Sequence, residues 1–478
     1  MHDLTLRGAS PIWQLLPAGV FVALGLALFT ANPLLTAASI IGGYAIVRLL
    51  WRAGEPPALL FAVAYQWLQA SILVFYADAQ NLPIDESGMD RWSSAAQIEE
   101  AVWITLGGLL VMALGMRAVV RAAIPQAAPP PQPAASPIRI DRLLYASLAA
   151  IALSAVLARA SHLIPGLAEP VRALILLRWG VYFLLAYAVF VQRRGYRSLA
   201  VVFAIEVGIG FLGFFSDFKT VLVMTLIAAA AVPELLRGRM KAVVAIAFVA
   251  VCLAVVWSAI KKDYREYLNQ GTSGQVILVS KADQVLELGR QVAGLTPETI
   301  LEGAEQLMYR ISYVDFLAAT LDTVPQVIPH EKGKLWLDAF QHVLTPRLLN
   351  PSKPVINDSD RTREYSGIGV SGGEEGTSVS LGYIAETYID FGRVLMFPAL
   401  FALGAAIAWA YRLVVRSLQG HPFAHGCAAA LIVQNASFLE QTNLKLLGGM
   451  VVGVLVLYLF QRHFGVKLLR SLIVHARQ

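Results

Sequence analysis

"SVSLGYIAETYIDFGRVLMFPALFALGAAIAWAYRLV" occupies residues 378–414, and how it is divided decides the fold. A helix rises 1.5 Å per residue, so roughly 20 apolar residues cross the ~30 Å hydrocarbon core of a bilayer. The stretch is too long for one crossing. Glycine tolerates backbone that other residues avoid, so Gly392 is the natural break. An amphipathic helix over 378–390 is expected to lie on the membrane face, with a crossing that begins near residue 391.

Comparable apolar stretches fill the rest of the chain. Of its 478 residues 57% are hydrophobic and only 15% charged, against about a quarter charged in a soluble domain. Mean hydropathy is +0.61. Twelve spans are expected, near 14–30, 32–50, 57–76, 98–120, 141–158, 171–191, 198–215, 219–236, 240–260, 391–412, 423–440 and 444–463. No ten-residue alternation of polarity suggests a barrel. The fold class is therefore all-α, a polytopic membrane protein.

Alternate loops are basic. They carry Arg48 and Arg52, then Arg117, Arg121, Arg139 and Arg142, then Arg193, Arg194 and Arg197, then Arg237, Arg239 and Lys241, then Arg412 and Arg416, and finally Arg462, Lys467 and Arg470. The positive-inside rule puts these loops and both termini in the cytoplasm. The net charge of +6 follows from the same bias and gives no reason to expect nucleic acid. Cys252 and Cys427 fall inside apolar stretches, which suits neither a disulfide framework nor zinc. No small-residue cleavage site follows the N-terminal segment, so the first span is read as retained.

The expected organisation is a four-span part (1–123), a Pro-rich cytoplasmic linker (124–140), spans five to nine (141–260), a hydrophilic excursion on the far side (261–390), and the last three spans with the tail (391–478). The linker contains "IPQAAPPPQPAASP" (124–137), a polyproline composition. A long excursion in a compact chain is usually functional. Residues 279–292 and 298–320 have helical periodicity, and 346–377 are rich in loop formers.

Charges at membrane depth are costly and ask for a reason. Arg178 and Glu206 sit in consecutive spans, either as a buried ion pair or, for Arg178 with Arg172, Arg159 and His162, as part of a cationic pocket. Asp217 and Lys219 mark the next turn. In the excursion, "VLTPRLLNPSKPVINDSDRTREYSG" (343–367) gathers Arg347, Lys353, Arg361 and Arg363 beside Asp358, Asp360 and Glu364, stiffened by three prolines. Arg310, Lys332 and Lys334 add positive charge. Guanidinium forks suit phosphate or diphosphate. There is no GxxxxGK[ST] loop, no His/Cys ligand spacing and no HExxH, so no metal or cofactor is expected. With no such machinery, the substrate must arrive activated, and a lipid diphosphate is the natural donor outside the cytoplasm.

"LTPRLLNPSKP" (344–354), followed by "GTSVSLGYIAETYIDFG" (376–392) leading into a span, resembles the bacterial O-antigen and exopolysaccharide repeat-unit polymerases. The matching residues are Arg347, Pro351, Lys353 and Pro354, then Glu386, Tyr388, Phe391 and Gly392. "FFSDFKT" and "YRISYVDF" are similar to two further family segments, with Lys219 and Arg310 at the basic positions. Arg361 and Gly372 fit an Arg-x10-Gly spacing of the outer loops.

The resemblance implies a membrane glycosyltransferase of the GT-C type in the bacterial inner membrane. It would polymerise undecaprenyl-diphosphate-linked oligosaccharides at the periplasmic face, with a chain-length regulator and a flippase of the same pathway as partners. Arg310, Arg347 and Lys353, helped by Arg172, Arg178, Arg361, Arg363 and Lys219, would neutralise the leaving diphosphate. Glu386, Asp358 and His330 are the candidate bases for the acceptor hydroxyl. Tyr388, with Tyr313 and Trp336, would stack on sugar. Two other functions share parts of this pattern, an O-antigen ligase that passes polymer to a lipid acceptor and a twelve-span lipid-linked oligosaccharide transporter.

Overall fold

A computed structural model describes residues 11–86, 95–122, 138–161, 166–211, 218–272, 277–345, 350, 353, 356–373 and 377–472. Among these residues the chain is all-helical, without a β-strand. In order the α-helices are α1 (Pro11–Ala27), α2 (Pro33–Leu50), α3 (Ala58–Ala79), α4 (Ala95–Ala122), α5 (Ile140–Ser161), α6 (Ala168–Gln192), α7 (Tyr196–Phe211), α8 (Phe218–Ala230), α9 (Pro233–Leu268), α10 (Lys281–Ala293), α11 (Pro297–Ile311), α12 (Val314–Thr323), α13 (Lys334–Leu344), α14 (Asp358–Ser366), α15 (Tyr383–Arg416), α16 (Pro422–Asn435), α17 (Asn443–Phe460) and α18 (Val466–Leu472).

Every expected span coincides with a helix. Eight stretches are long and apolar enough to cross a bilayer: 33–50, 58–79, 97–121, 140–161, 168–192, 244–268, 383–416 and 443–471. The helices at the other four positions, α1, α7, α8 and α16, have 17, 16, 13 and 14 residues. A 14-residue helix is about 21 Å long, short of the hydrocarbon thickness. The apolar run continues past each of these helix ends, which is why the sequence reads as a full span.

The four N-terminal spans do not stand apart from the rest. Helix α4 packs along α15, and the contact is backbone to backbone. A Cβ at Gly115 would collide with the Phe401 carbonyl, and one at Gly404 with the Met112 carbonyl. Between apolar helices in lipid, close approach of small residues is the main source of attraction.

At one end of the bundle, arginines staple helix termini. Arg117 donates to the Leu49 carbonyl at 2.6 Å, Arg142 to that of Ser471 at 2.6 Å, and Arg412 to that of Val119. Cations complement the negative C-terminal ends of helices α2 and α4. The alternation of basic loops is thus built into the packing as well as into the sequence.

The opposite end carries α10 to α14. There, Gly392 has φ 67° and ψ −174°, so α15 breaks where expected. The half before the break differs from expectation. Residues 383–390 are all buried, so this half is enclosed by the excursion and does not lie on the membrane face. Its polar residues have protein partners, which a surface helix would lack. A second correction concerns 346–377, expected as loop. Residues 358–366 form α14, capped by the Asn357 side chain, which accepts from Ser359 N at 2.9 Å, and closed by Gly367 at φ 69°. Its residues are almost all polar, so no apolar period reveals it.

Candidate functional site

The polar end of the bundle holds two clusters of charge. The first surrounds the buried half of α15. Glu386 accepts from Asn443 N at 2.7 Å and lies 3.7 Å from Arg361, which also lies 3.8 Å from Asp338. Asp358 is buried, pairs with Lys445 at 2.5 Å and accepts from Ser378 at 3.2 Å. Asp390 accepts from Leu335 N at 3.0 Å and from Trp336 N at 2.8 Å, capping the first turn of α13. Tyr365 donates to Glu331 at 2.9 Å, and burial with that carboxylate pushes its phenol above the usual range.

Five sequence-predicted residues meet here: Glu386, Asp358, Arg361, His330 and Tyr388. Glu386, Asp358 and Tyr388 are enclosed, whereas Arg361 and His330 are partly exposed. Tyr388 is 1% exposed and donates to the Val324 carbonyl at 2.9 Å, so it offers no face to a sugar. His330 stands edge-on to Tyr388, 5.4 Å between ring centres, with Nδ1 3.2 Å from the Ile389 carbonyl. Glu386 and Asp358 are 1% and 2% exposed and already paired. In "ETYIDFG" the side chains of Glu386, Tyr388 and Asp390 are buried and bonded within the protein. Beside it, Asn443 is buried with neither amide atom hydrogen-bonded.

The remaining predicted residues are dispersed. Arg178 is clamped on Glu206 through two nitrogens and donates to Ser154 at 3.2 Å, so the ion-pair reading describes it and the cationic-pocket reading does not. Arg172 is exposed and pairs with Glu169 at 2.7 Å. Arg363 pairs with Asp360 at 2.5 Å. Lys353 Nζ donates to the His342 carbonyl and, at 2.8 Å, to that of Thr345, closing the C-terminal end of α13. Lys219 sits 4.3 Å over the Phe438 ring. Arg347, with Asp217, His162 and the three prolines of 343–367, lies outside the described residues.

Arg310 belongs to a second cluster, which the sequence pattern did not reveal. It lies close enough to Lys261 and Arg265 for mutual repulsion. Lys261, Lys262 and Arg265 line a cleft of about 530 Å³ at the polar end of α9, with Gln306, Glu266 and Asn269. Among the described residues, none of Lys261, Lys262 and Arg310 is in an ion pair with a carboxylate. Residues 261 and 265 are one turn apart and share a helix face. That spacing was legible, but the charges follow directly on the apolar run of α9 and read as a flank.

Tyr65 connects this cluster to a carboxylate. Tyr65 is within electrostatic reach of both Arg310 and Glu440. Glu440 accepts from Gln69 Nε2 at 2.7 Å and is half-buried. Gln69 also accepts from Leu439 N at 2.9 Å, so it fixes the loop and the carboxylate together. Tyr313 bridges the two clusters. It donates to the Ser380 carbonyl, and burial, with Glu440 and Asp358 nearby, holds its hydroxyl well above the usual range. Among the described residues no group of His, Cys, Asp and Glu is arranged to hold a metal.

These observations define a class: an all-helical chain with membrane-length helices and a belt of charge at one end. Residues 120–460 match the family described as a domain of unknown function, DUF8712, and the chain belongs to that family. No curated protein and no solved structure matches it.

Proposed function

We propose that the protein is a membrane glycosyltransferase that joins lipid-diphosphate-linked oligosaccharide units at the extracytoplasmic face, with the cleft of Lys261, Lys262 and Arg265 receiving the diphosphate. The observation that carries this reading is the cleft itself. Three cations of α9, with Arg310 alongside, stand where an apolar helix meets its polar end. A lipid diphosphate has that same division, since its tail needs the apolar surface and its head needs fixed positive charge. Departure of the sugar from diphosphate places negative charge on the leaving oxygens, and preorganised cations lower that barrier.

Glu440 is the carboxylate best placed to take the acceptor hydroxyl's proton, because a base must be available to substrate. Glu386 and Asp358 are buried and committed to protein partners. In this reading Arg361, Asp358 and Glu386 hold the excursion on the bundle. The charge asymmetry of the loops supports a belt outside the cytoplasm, and the motif resemblance suggests the sugar chemistry.

The test is a gene deletion in a cell that displays the polymer. Loss of long chains, with single repeat units still attached to the lipid acceptor, supports a polymerase. Complete loss of attached glycan indicates a ligase, and an unchanged ladder removes the proposal.

A further inference from the structure

Helix α10 has its polarity inside out. Its most buried residues are Gln284 and Glu287, with Leu288 and Gln291 partly buried beside them, while Val285, Leu286 and Val292 are 55%, 72% and 45% exposed. Gly289 lies on the same outward stripe, with open space around it. Of the inward polar groups, all but Gln291 Oε1 are satisfied locally. Glu287 takes a fork from Arg290 at 2.9 Å and a bond from Gln291 at 2.8 Å, and Gln284 donates to the Val279 carbonyl at 3.2 Å. A helix packed on a protein in water turns its apolar stripe to the core. This one turns it away.

The place of α10 says what covers that stripe. Leu278 N donates to the Leu268 carbonyl at 2.8 Å, tying the entry of α10 to the last turn of α9. The following helix, α11, presses Gly303 against Val255 and Ala259 of α9. That level is one to two turns above the exposed apolar residues Phe248, Val249 and Val251 and directly below Lys261. The α10–α11 hairpin therefore sits where α9 passes from apolar to charged surface, and Leu301 of α11 is 71% exposed there too.

We infer that α10 lies in the interface of the bilayer, its Val285–Leu286–Val292 stripe seated on the acyl–headgroup boundary beside the cationic cleft. A helix with one strongly apolar face, but too many polar residues on the other to cross the hydrocarbon, is the kind that lies in the membrane plane. The seat would fix the height of the cleft relative to the lipid surface. It does not depend on glycosyl transfer.

The full-length chain, with lipid-exposed Cys252 changed to Ser and buried Cys427 retained, is reconstituted in vesicles of phosphatidylcholine and phosphatidylglycerol. A nitroxide is placed at Leu286→Cys or, in a separate protein, at Asp283→Cys. Both positions are exposed, and Asp283→Cys gives up only the Ser280 hydroxyl bond, the N-cap bond through Asp283 N being retained; circular dichroism of each labelled protein checks the fold. The expected result is that collisions with oxygen dominate at 286 and collisions with a water-soluble nickel complex dominate at 283. Equal nickel access at both sites, meaning a stripe in water, overturns the inference. Shielding of 286 from both reagents, meaning cover by a second copy, overturns it as well. Neither result bears on transfer activity, so the functional reading stands or falls separately.

Discussion

Arg178 and Glu206 show how a single buried pair constrains the membrane part. Glu206 is 1% exposed on its side chain, so removing Arg178 leaves an uncompensated charge between α6 and α7. Breaking such a pair costs about 3–5 kcal/mol, whereas replacing both members by apolar residues is often neutral. Arg178→Ala is expected to lower thermal stability in detergent strongly, and Arg178→Leu/Glu206→Leu to restore most of it. Gly392 is the second decisive residue. At φ 67° a side chain is strained, and its Cβ would stand 3.2 Å from His330 Nε2. Gly392→Ala should cost about 1–3 kcal/mol. Gly208→Ala, in the last turn of α7 with nothing nearby, should be neutral or stabilising by up to about 1 kcal/mol. Paired melting curves check both. Gly392 was legible because the run around it exceeded one crossing. The burial of Tyr388 and Glu386 was not, because an amphipathic period does not say which protein surface will cover its polar side.

At the scale of elements, α13 is held from both ends by opposite charges. Asp390 takes two N–H groups of its first turn, and Lys353 Nζ takes the carbonyls of His342 and Thr345 at its last. That arrangement complements the helix dipole. Asp390→Ala removes a cap of about 1 kcal/mol, and Lys353→Met removes its counterpart. Each should speed hydrogen exchange of the α13 amides, Asp390→Ala at the start and Lys353→Met at the end, without changing exchange in α10. Lys353 reads in sequence as a phosphate ligand because it follows prolines in a polar stretch. Only the fold reveals that two carbonyls consume its ammonium. Helix α14 was hidden for a related reason. Its cap signals, Asn357 and Gly367, are present, but a helix polar on most sides gives periodicity nothing to detect. The membrane-length helices were legible because their signal needs only composition and length.

At the scale of the molecule, charge is sorted to the two ends. One end uses arginines to close helix C-termini, and the other gathers Lys261, Lys262, Arg265 and Arg310. The end on which these groups cluster followed from loop charge, but their grouping required α11 to fold back onto α9. The proposed role of these cations is to receive an anionic head group on whose binding transfer depends. It is tested most directly by the surface-polymer ladder of cells expressing Arg265→Met/Arg310→Met at wild-type protein level. Loss of chains longer than one repeat unit, with Lys262→Arg retaining them, is the predicted result. A full-length ladder from the double variant would show that transfer does not need these cations.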